Sequence, residues 1–343
     1  MARLLHQENY QVNQCLLLDL LYVSDCFIGK RTLGEFDMLA TVSKNFFLYV
    51  SQNKGLNKAA RKWGLKFGAA QMVAGVTIDH AMQTVRELNQ KGILCTLDHL
   101  GEFVSSRDEA IQATEYNVRT LEAIGKTGVK SNLSVKMTQL GLDIDKEFCI
   151  KNMCQILDAA KRTNNFVRID MEDYSHCQVT LDILRELREV YGFDNVGTVI
   201  QAYLHRSEQD IKELKGIPLR LVKGAYKEDP SVAFQDKKVI DENYMKIIKE
   251  HLLSGSYTAI ASHDHNIIAA VKEFAKEANI SNDQFEFQML YGFRAELLQS
   301  LVKEGYKVRV YVPFGDDWFG YFMRRLAERP QNVTWALKGF FSK

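Results

Sequence analysis

The 343-residue chain has only four prolines and six cysteines, and no CxxC pair among the cysteines. That spacing favours neither a zinc site nor a disulfide framework. Cys15, Cys26, Cys95, Cys149, Cys154 and Cys177 read as reduced, mostly packed residues of a cytosolic protein. Charge of neither sign is in excess: 44 Lys and Arg against 43 Asp and Glu leave +1, which argues against a nucleic-acid binder. The N-terminus lacks the basic, apolar, small-residue order of a signal peptide. The apolar stretch 15–27 is too short to span a bilayer and is broken by Asp19 and Asp25. An amphipathic helix packed on the body of the protein suits it better than a membrane-surface role.

What the chain does have is alternation. Residues 1–85 read as a helical extension with no strand-like run. Residues 86–343 read as short apolar strands at 93–98, 133–137, 166–171, 197–203, 219–223, 258–262, 285–290 and 308–312, separated by amphipathic helices. Ser106 and Glu109 suggest a capping box before a helix over 110–124, and Ser207 with Asp210 a start before 211–214. Gly125, Gly192, Gly255 and Gly305 stand where helices should end. Pro218, Pro230, Pro313 and Pro330 all fall at element edges. Eight strand–helix repeats without a Gly-rich nucleotide fingerprint favour an α/β fold of the (β/α)8 TIM-like barrel type over a doubly wound sheet.

In such barrels the active site is built at the C-terminal ends of the strands. Those ends carry Asp98-His99-Leu100-Gly101-Glu102, Lys136, Asp170, Gln201, Arg220 with Lys223, His263, Gln288 and Tyr311. Any one could be a structural ion pair or a satisfied core residue. So many polar groups in one mouth would be costly to bury without a ligand. After the eighth strand, Tyr321, Arg324, Arg325 and Glu328 share one helical stripe at i, i+3, i+4 and i+7. A solvated face with an Arg324–Glu328 pair is the plain alternative. Adjacent guanidinium forks beside an aromatic ring fit a small carboxylate.

The segments LSVKMTQLG (133–141), VRIDMED (167–173), VIQAYLHR (199–206), LRLVKGAY (219–226), SHD (262–264), RVYVPFG (309–315) and YFMRRLAER (321–329) resemble the proline dehydrogenase family. The resemblance takes in the single-function enzymes and the barrel of proline utilization A. It implies a non-covalent FAD, oxidation of L-proline to Δ1-pyrroline-5-carboxylate and electron transfer to a membrane quinone. It implies that Arg324, Arg325 and Lys136 hold the carboxylate, with Tyr311, Tyr321 and Leu290 around the ring and Asp170 supporting them. Glu102 would be the gating carboxylate, paired with an active-site arginine for which Arg324 is the candidate. Gln201, Arg220, Lys223 and His263 would contact the flavin, with the backbone of Val222, Gly224 and Ala225 alongside and Glu328 near the adenosine. A separate pyrroline-5-carboxylate dehydrogenase would take the product. The expected location is the cytoplasm, with peripheral contact at the inner face of the cell membrane left open.

Two features depart from the bifunctional relatives. Lys227 follows LVKGAY where they carry Trp, and the loop between Tyr311 and Arg324 is about two residues shorter. His263-Asp264-His265 also fits a metal-dependent hydrolase, and Lys136 a Schiff-base lyase. A helical scaffold that uses its N-terminal segment as a partner surface is a non-enzymatic alternative. Within the family, a hydroxyproline enzyme is the nearest competitor, and the bulk of Tyr311 favours proline. Tyr311→Ser is therefore expected to raise activity on 4-hydroxyproline relative to proline. The ratio of the two kcat/KM values checks this.

Overall fold

The computed structural model describes residues 69–101 and 104–328, with side chains described to residue 325. The 15–27 stretch and most of the expected extension lie outside the described residues. Eight parallel strands hydrogen-bond in sequence order and close on themselves. They are β1 (Leu94–His99), β2 (Ser131–Val135), β3 (Val167–Ile169), β4 (Val196–Gln201), β5 (Leu219–Val222), β6 (Thr258–Ala261), β7 (Phe285–Leu290) and β8 (Val308–Phe314). The final pairing, Thr96 with Tyr311 and Leu97 with Val312, joins β8 to β1. This is the (β/α)8 barrel expected from the alternation.

Helix α1 (Ile78–Gln90) precedes β1, and α2 (Arg107–Thr127), α3 (Lys146–Arg162), α4 (Tyr174–Glu189) and α5 (Ser207–Glu213) follow β1 to β4. Helices α6 (Lys237–Leu253), α7 (His265–Glu277), α8 (Ala295–Lys303) and α9 (Trp318–Glu328) follow β5 to β8. Six of them start on a Thr, Ser or Asp whose side chain accepts a first-turn N–H: Thr77, Ser106, Asp145, Asp173, Asp236 and Asp264. Among the described residues, no helix is long and apolar enough to cross a membrane. The described cysteines, Cys95, Cys149, Cys154 and Cys177, are free thiols.

Several local expectations shift. Ser106 caps α2, but the Glu109 carboxylate accepts from the Ser105 N–H at 2.7 Å, one residue before the cap. The left-handed residue ending α2 is Gly128, while Gly125 lies inside the helix. Ser207 is the first residue of α5 rather than its cap, and Asp210 is bound by Arg206 Nε at 2.9 Å. Strand β2 begins and ends two residues earlier than its apolar run suggested, and β3 is shorter than expected. Helix α1 runs without a break across the expected boundary at 85/86.

Helix α1 packs on β1, α2 and β8, which places it on the outer ring where a helix following β8 would sit. Helix α9 is accordingly left at the C-terminal rim. There Trp318, Tyr321 and Phe322 are buried with Leu100, Ala69, Met72 and Val73. Two backbone bonds, Ala74 N–H to Pro313 O and Gly315 N–H to Gly75 O, tie the segment before α1 to the end of β8.

The strands are two-sided. Alternate residues such as Leu97, Val135, Val167, Leu221, Phe287 and Val310 belong to the main apolar core. Their neighbours Thr96, Ser134, Arg168, Arg220, Glu286 and Gln288 are polar and just as buried. Arg220 on β5 bonds to side chains from β2, β7 and the residue just beyond β3, a span possible only across the barrel interior. The inner face is therefore polar and the outer face apolar. Deep in the barrel, Arg168 Nη1 donates to the carbonyls of Thr198 at 3.0 Å and Pro218 at 2.5 Å. Burial, with Arg220 nearby, pushes its guanidinium down to about 9.

Gly197 leaves room for that contact, since a Cβ there would lie 2.1 Å from the Pro218 oxygen and 2.9 Å from Arg168 Nη1. Gly197→Ala is expected to cost roughly 1–3 kcal/mol by overpacking, read from chemical denaturation.

Candidate active site

The strand ends deliver the expected residues to one rim. Lys136, Asp170 and Lys223 each stand one residue beyond β2, β3 and β5. Gln201 and Leu290 are the last residues of β4 and β7, and Arg220 and Tyr311 lie within β5 and β8. His263 follows β6. Glu102 lies outside the described residues, and so does the side chain of Glu328.

Asp170 is the junction. Its Oδ1 accepts from Arg220 Nη1 at 2.6 Å, its Oδ2 from the Tyr311 hydroxyl at 2.8 Å, and Lys136 Nζ is 3.8 Å from Oδ2. Lys136 Nζ also donates to both carboxylate oxygens of Asp98 at 3.2 Å and lies 3.5 Å from the Tyr311 hydroxyl. Burial, followed by the carboxylates of Asp170 and Asp98, raises the Tyr311 phenol well above its ordinary value. It therefore stays a protonated donor at neutral pH. Arg220 packs over the Tyr311 ring at 5.2 Å and is completed by Gln288 Oε1 at 2.6 Å and Ser134 Oγ at 3.0 Å. Asp98, Ser134 and Gln288 are thus part of the site, although no expected role covered them. Asp98 and Gln288 stood among the polar strand ends, and Ser134 was marked only by its place two residues before Lys136.

The residues expected around a flavin form an adjoining arc on β4, β5 and β6, which pair side by side. Gln201 Nε2 donates to the Glu172 carbonyl at 2.8 Å, and the Glu172 side chain holds the Thr138 hydroxyl. Lys223 Nζ reaches Asp241 at 2.5 Å and Asp264 at 3.1 Å. His263 Nε2 accepts the Leu290 N–H at 3.1 Å, which in a neutral ring puts the proton on Nδ1. Between them the backbone turns at Gly224 (φ 118°), where a Cβ would lie 2.1 Å from the Tyr203 ring. A cation, amide and imidazole on adjoining strand ends, beside a backbone run without a side chain at its turn, fit a planar ring rich in hydrogen-bond acceptors.

His263, Asp264 and His265 serve separate ends. His263 binds the Leu290 amide, Asp264 caps α7 and pairs with Lys223, and His265 meets Arg294 at 3.1 Å. Lys136 has the two carboxylate partners of a charged ammonium, which does not suit a Schiff-base nucleophile.

On α9 the stripe is not a solvated face. Tyr321 is buried, and Arg324 and Arg325 are half-buried, with the Arg325 guanidinium 5.3 Å from the Tyr321 ring centre. The described geometry connects these arginines to the rim through α9.

A closed parallel barrel with a buried ionic cluster at its C-terminal rim defines an enzyme of the (β/α)8 class. The family model described as proline dehydrogenase matches residues 81–335, and the chain belongs to that family. Proline dehydrogenase 2 of Bacillus subtilis (strain 168) is 50% identical over 304 residues, covering 88% of this chain and 100% of the relative. Proline dehydrogenase of Deinococcus radiodurans is 38% identical, covering 88% and 99%. Among solved structures, proline utilization A from Bdellovibrio bacteriovorus, inactivated by N-propargylglycine, superposes with a TM-score of 0.72 at 29% identity. That match covers 80% of this chain and 34% of the larger protein.

Asp170→Asn would leave Arg220 and Lys136 around a neutral amide. The variant is expected to lose about 3–5 kcal/mol of stability by urea denaturation, the cost of breaking a buried ion pair.

Proposed function

We propose that this enzyme oxidises L-proline to Δ1-pyrroline-5-carboxylate with FAD as its resident cofactor. The observation that carries this reading is the convergence of Lys136, Asp170, Arg220 and Tyr311 on one point at the barrel rim. Family membership supplies the substrate, because the relatives at 50% and 38% identity are named proline dehydrogenases.

In this reading Arg324 and Arg325 hold the substrate carboxylate with bidentate forks, and Lys136 adds a third cation. Asp98 and Asp170 fix the direction of Lys136, so its ammonium is set before substrate arrives. Tyr311, Tyr321 and Leu290 surround the apolar ring. Asp170 holds the Tyr311 hydroxyl and Arg220 in place. Gln201, Arg220, Lys223 and His263, with the backbone of Val222, Gly224 and Ala225, would hold the isoalloxazine, and Glu328 is the residue assigned to the adenosine. When bound, FAD supplies the hydride acceptor for the C5–H bond. Arg220 would supply the positive charge that favours the reduced ring. Glu102, outside the described residues, is the carboxylate proposed to pair with Arg324 and so exclude water.

Electrons then pass to a membrane quinone, and a separate pyrroline-5-carboxylate dehydrogenase takes up the product. The chain works in the cytoplasm and meets the quinone at the inner face of the cell membrane.

Anaerobic titration of the purified protein with proline should bleach its flavin, and a flavin-loaded sample that does not bleach would overturn the proposal. Arg325→Met should raise the proline KM by roughly tenfold or more, the loss expected for one charge-assisted hydrogen bond, with flavin content unchanged.

A further inference from the structure

Beneath the rim the polar network continues downward through a residue that touches none of the groups assigned to substrate. Glu286, on β7, is 2% exposed. Its Oε1 accepts from Arg309 Nε at 2.7 Å and from Gln288 Nε2 at 2.6 Å, and its Oε2 accepts from the Tyr257 hydroxyl at 2.9 Å. Burial opposes its ionisation. Arg309 and these hydrogen bonds outweigh burial and hold the carboxyl below its usual range. Arg309 is anchored in turn, with Nη1 donating to the Cys95 carbonyl at 2.6 Å.

Gln288 is the link. It stands two residues along the same strand face and is 3% exposed. A side-chain amide has one accepting and one donating end, and which way it points is settled by its partners. Glu286 can only accept, so the NH2 end of Gln288 must face it. The carbonyl end is thereby forced upward, where it accepts from Arg220 Nε at 2.6 Å. Reversed, the amide would set an N–H against the Arg220 N–H and an oxygen against the Glu286 carboxylate. Both contacts would repel.

We infer that Glu286 is a positioning residue, acting through the amide of Gln288 to hold the Arg220 guanidinium in register with Asp170. This rests on the reading of the site given above. It extends that reading by making the orientation of the flavin-facing cation depend on a carboxylate one layer deeper in the barrel. Without the Glu286 oxygens the NH2 end of Gln288 has no acceptor, and the amide no longer holds its carbonyl in register for the arginine.

The sign of a single measurement separates this role from a bulk electrostatic one. If Glu286 acted only as a negative charge at a distance, neutralising it would make reduction of the flavin easier and raise its midpoint potential. If it acts through Gln288 and Arg220, removing its acceptor oxygens disorders the cation that stabilises the reduced ring, and the potential falls. Glu286→Met, which removes the acceptor oxygens, should therefore lower the potential, measured against a reference dye, and slow the bleaching rate at saturating proline by roughly tenfold. Gln288→Met should lower the potential likewise, and adding Glu286→Met to it should cause no further fall. Tyr257→Phe removes a buried hydrogen bond to the same carboxylate while leaving the Gln288 contact, and should leave the potential in place.

Because Glu286→Met strands the Arg309 cation, the paired replacement Glu286→Met with Arg309→Met serves if the single variant does not fold. The same fall is expected of it. A potential that rises or stays put in a protein whose unaltered form bleaches with proline would overturn the relay alone. Failure of the unaltered, flavin-loaded protein to bleach would instead overturn the function from which the relay is argued.

Discussion

The guanidinium of Arg220 is the contact on which the inside of this barrel depends. It leaves β5 and binds Ser134 of β2, Asp170 beyond β3 and Gln288 of β7, crossing the interior to strands that never pair with its own. A buried cation so placed is costly unless every direction it faces is answered. The answering groups, Asp170 foremost, are themselves buried and need partners. The need propagates upward to Tyr311, Lys136 and Asp98, and downward through Gln288 to Glu286, Arg309 and Tyr257. In this network three cations face three carboxylates. The interior is a balanced ionic lattice, where many barrels pack branched aliphatics.

That arrangement divides labour between the two faces of each strand. Stability comes from the outward residues, such as Leu97, Val167, Phe287 and Val310, which the helices cover. The inward residues contribute geometry, because each polar atom has few acceptable orientations in a site of low dielectric. Function uses the upper end of the same lattice. The displacement of α9 to the rim, with α1 packed on β8 and β1 in its stead, brings a helix bearing two adjacent arginines to that end.

Much of this was legible in the sequence, and particular residues show why. The run FEFQML at 285–290 reads directly as a strand and coincides with β7. Its glutamate and glutamine are the inward pair; Arg309 reaches the glutamate from the adjacent β8, whereas Arg220 reaches the glutamine only across the barrel interior from β5. Ser134 carries no signal of its own, since a serine between two apolar residues suits any strand. Asp98 stood in a promising strand end, yet its partner Lys136 lies 38 positions away. Local errors had local causes. Gly125 looked like a helix stop because glycine is common there, but the left-handed turn falls at Gly128, three residues on. Ser207 looked like a cap, whereas α5 begins at the serine itself.

By itself the sequence determined the number of strand–helix units, the polarity of the strand ends and the arginine stripe on the last helix. Periodicity and capping are properties of neighbouring residues, and they survive without tertiary structure. Only the folded barrel decided that Asp170 joins three partners, that Gln288 points its carbonyl at Arg220, and that α1 and α9 divide the positions a single helix would fill. Those outcomes depend on closing β8 onto β1. Closure converts residues far apart in the chain into neighbours across an interior only a few side chains wide, where burial makes each unanswered polar atom too costly to leave.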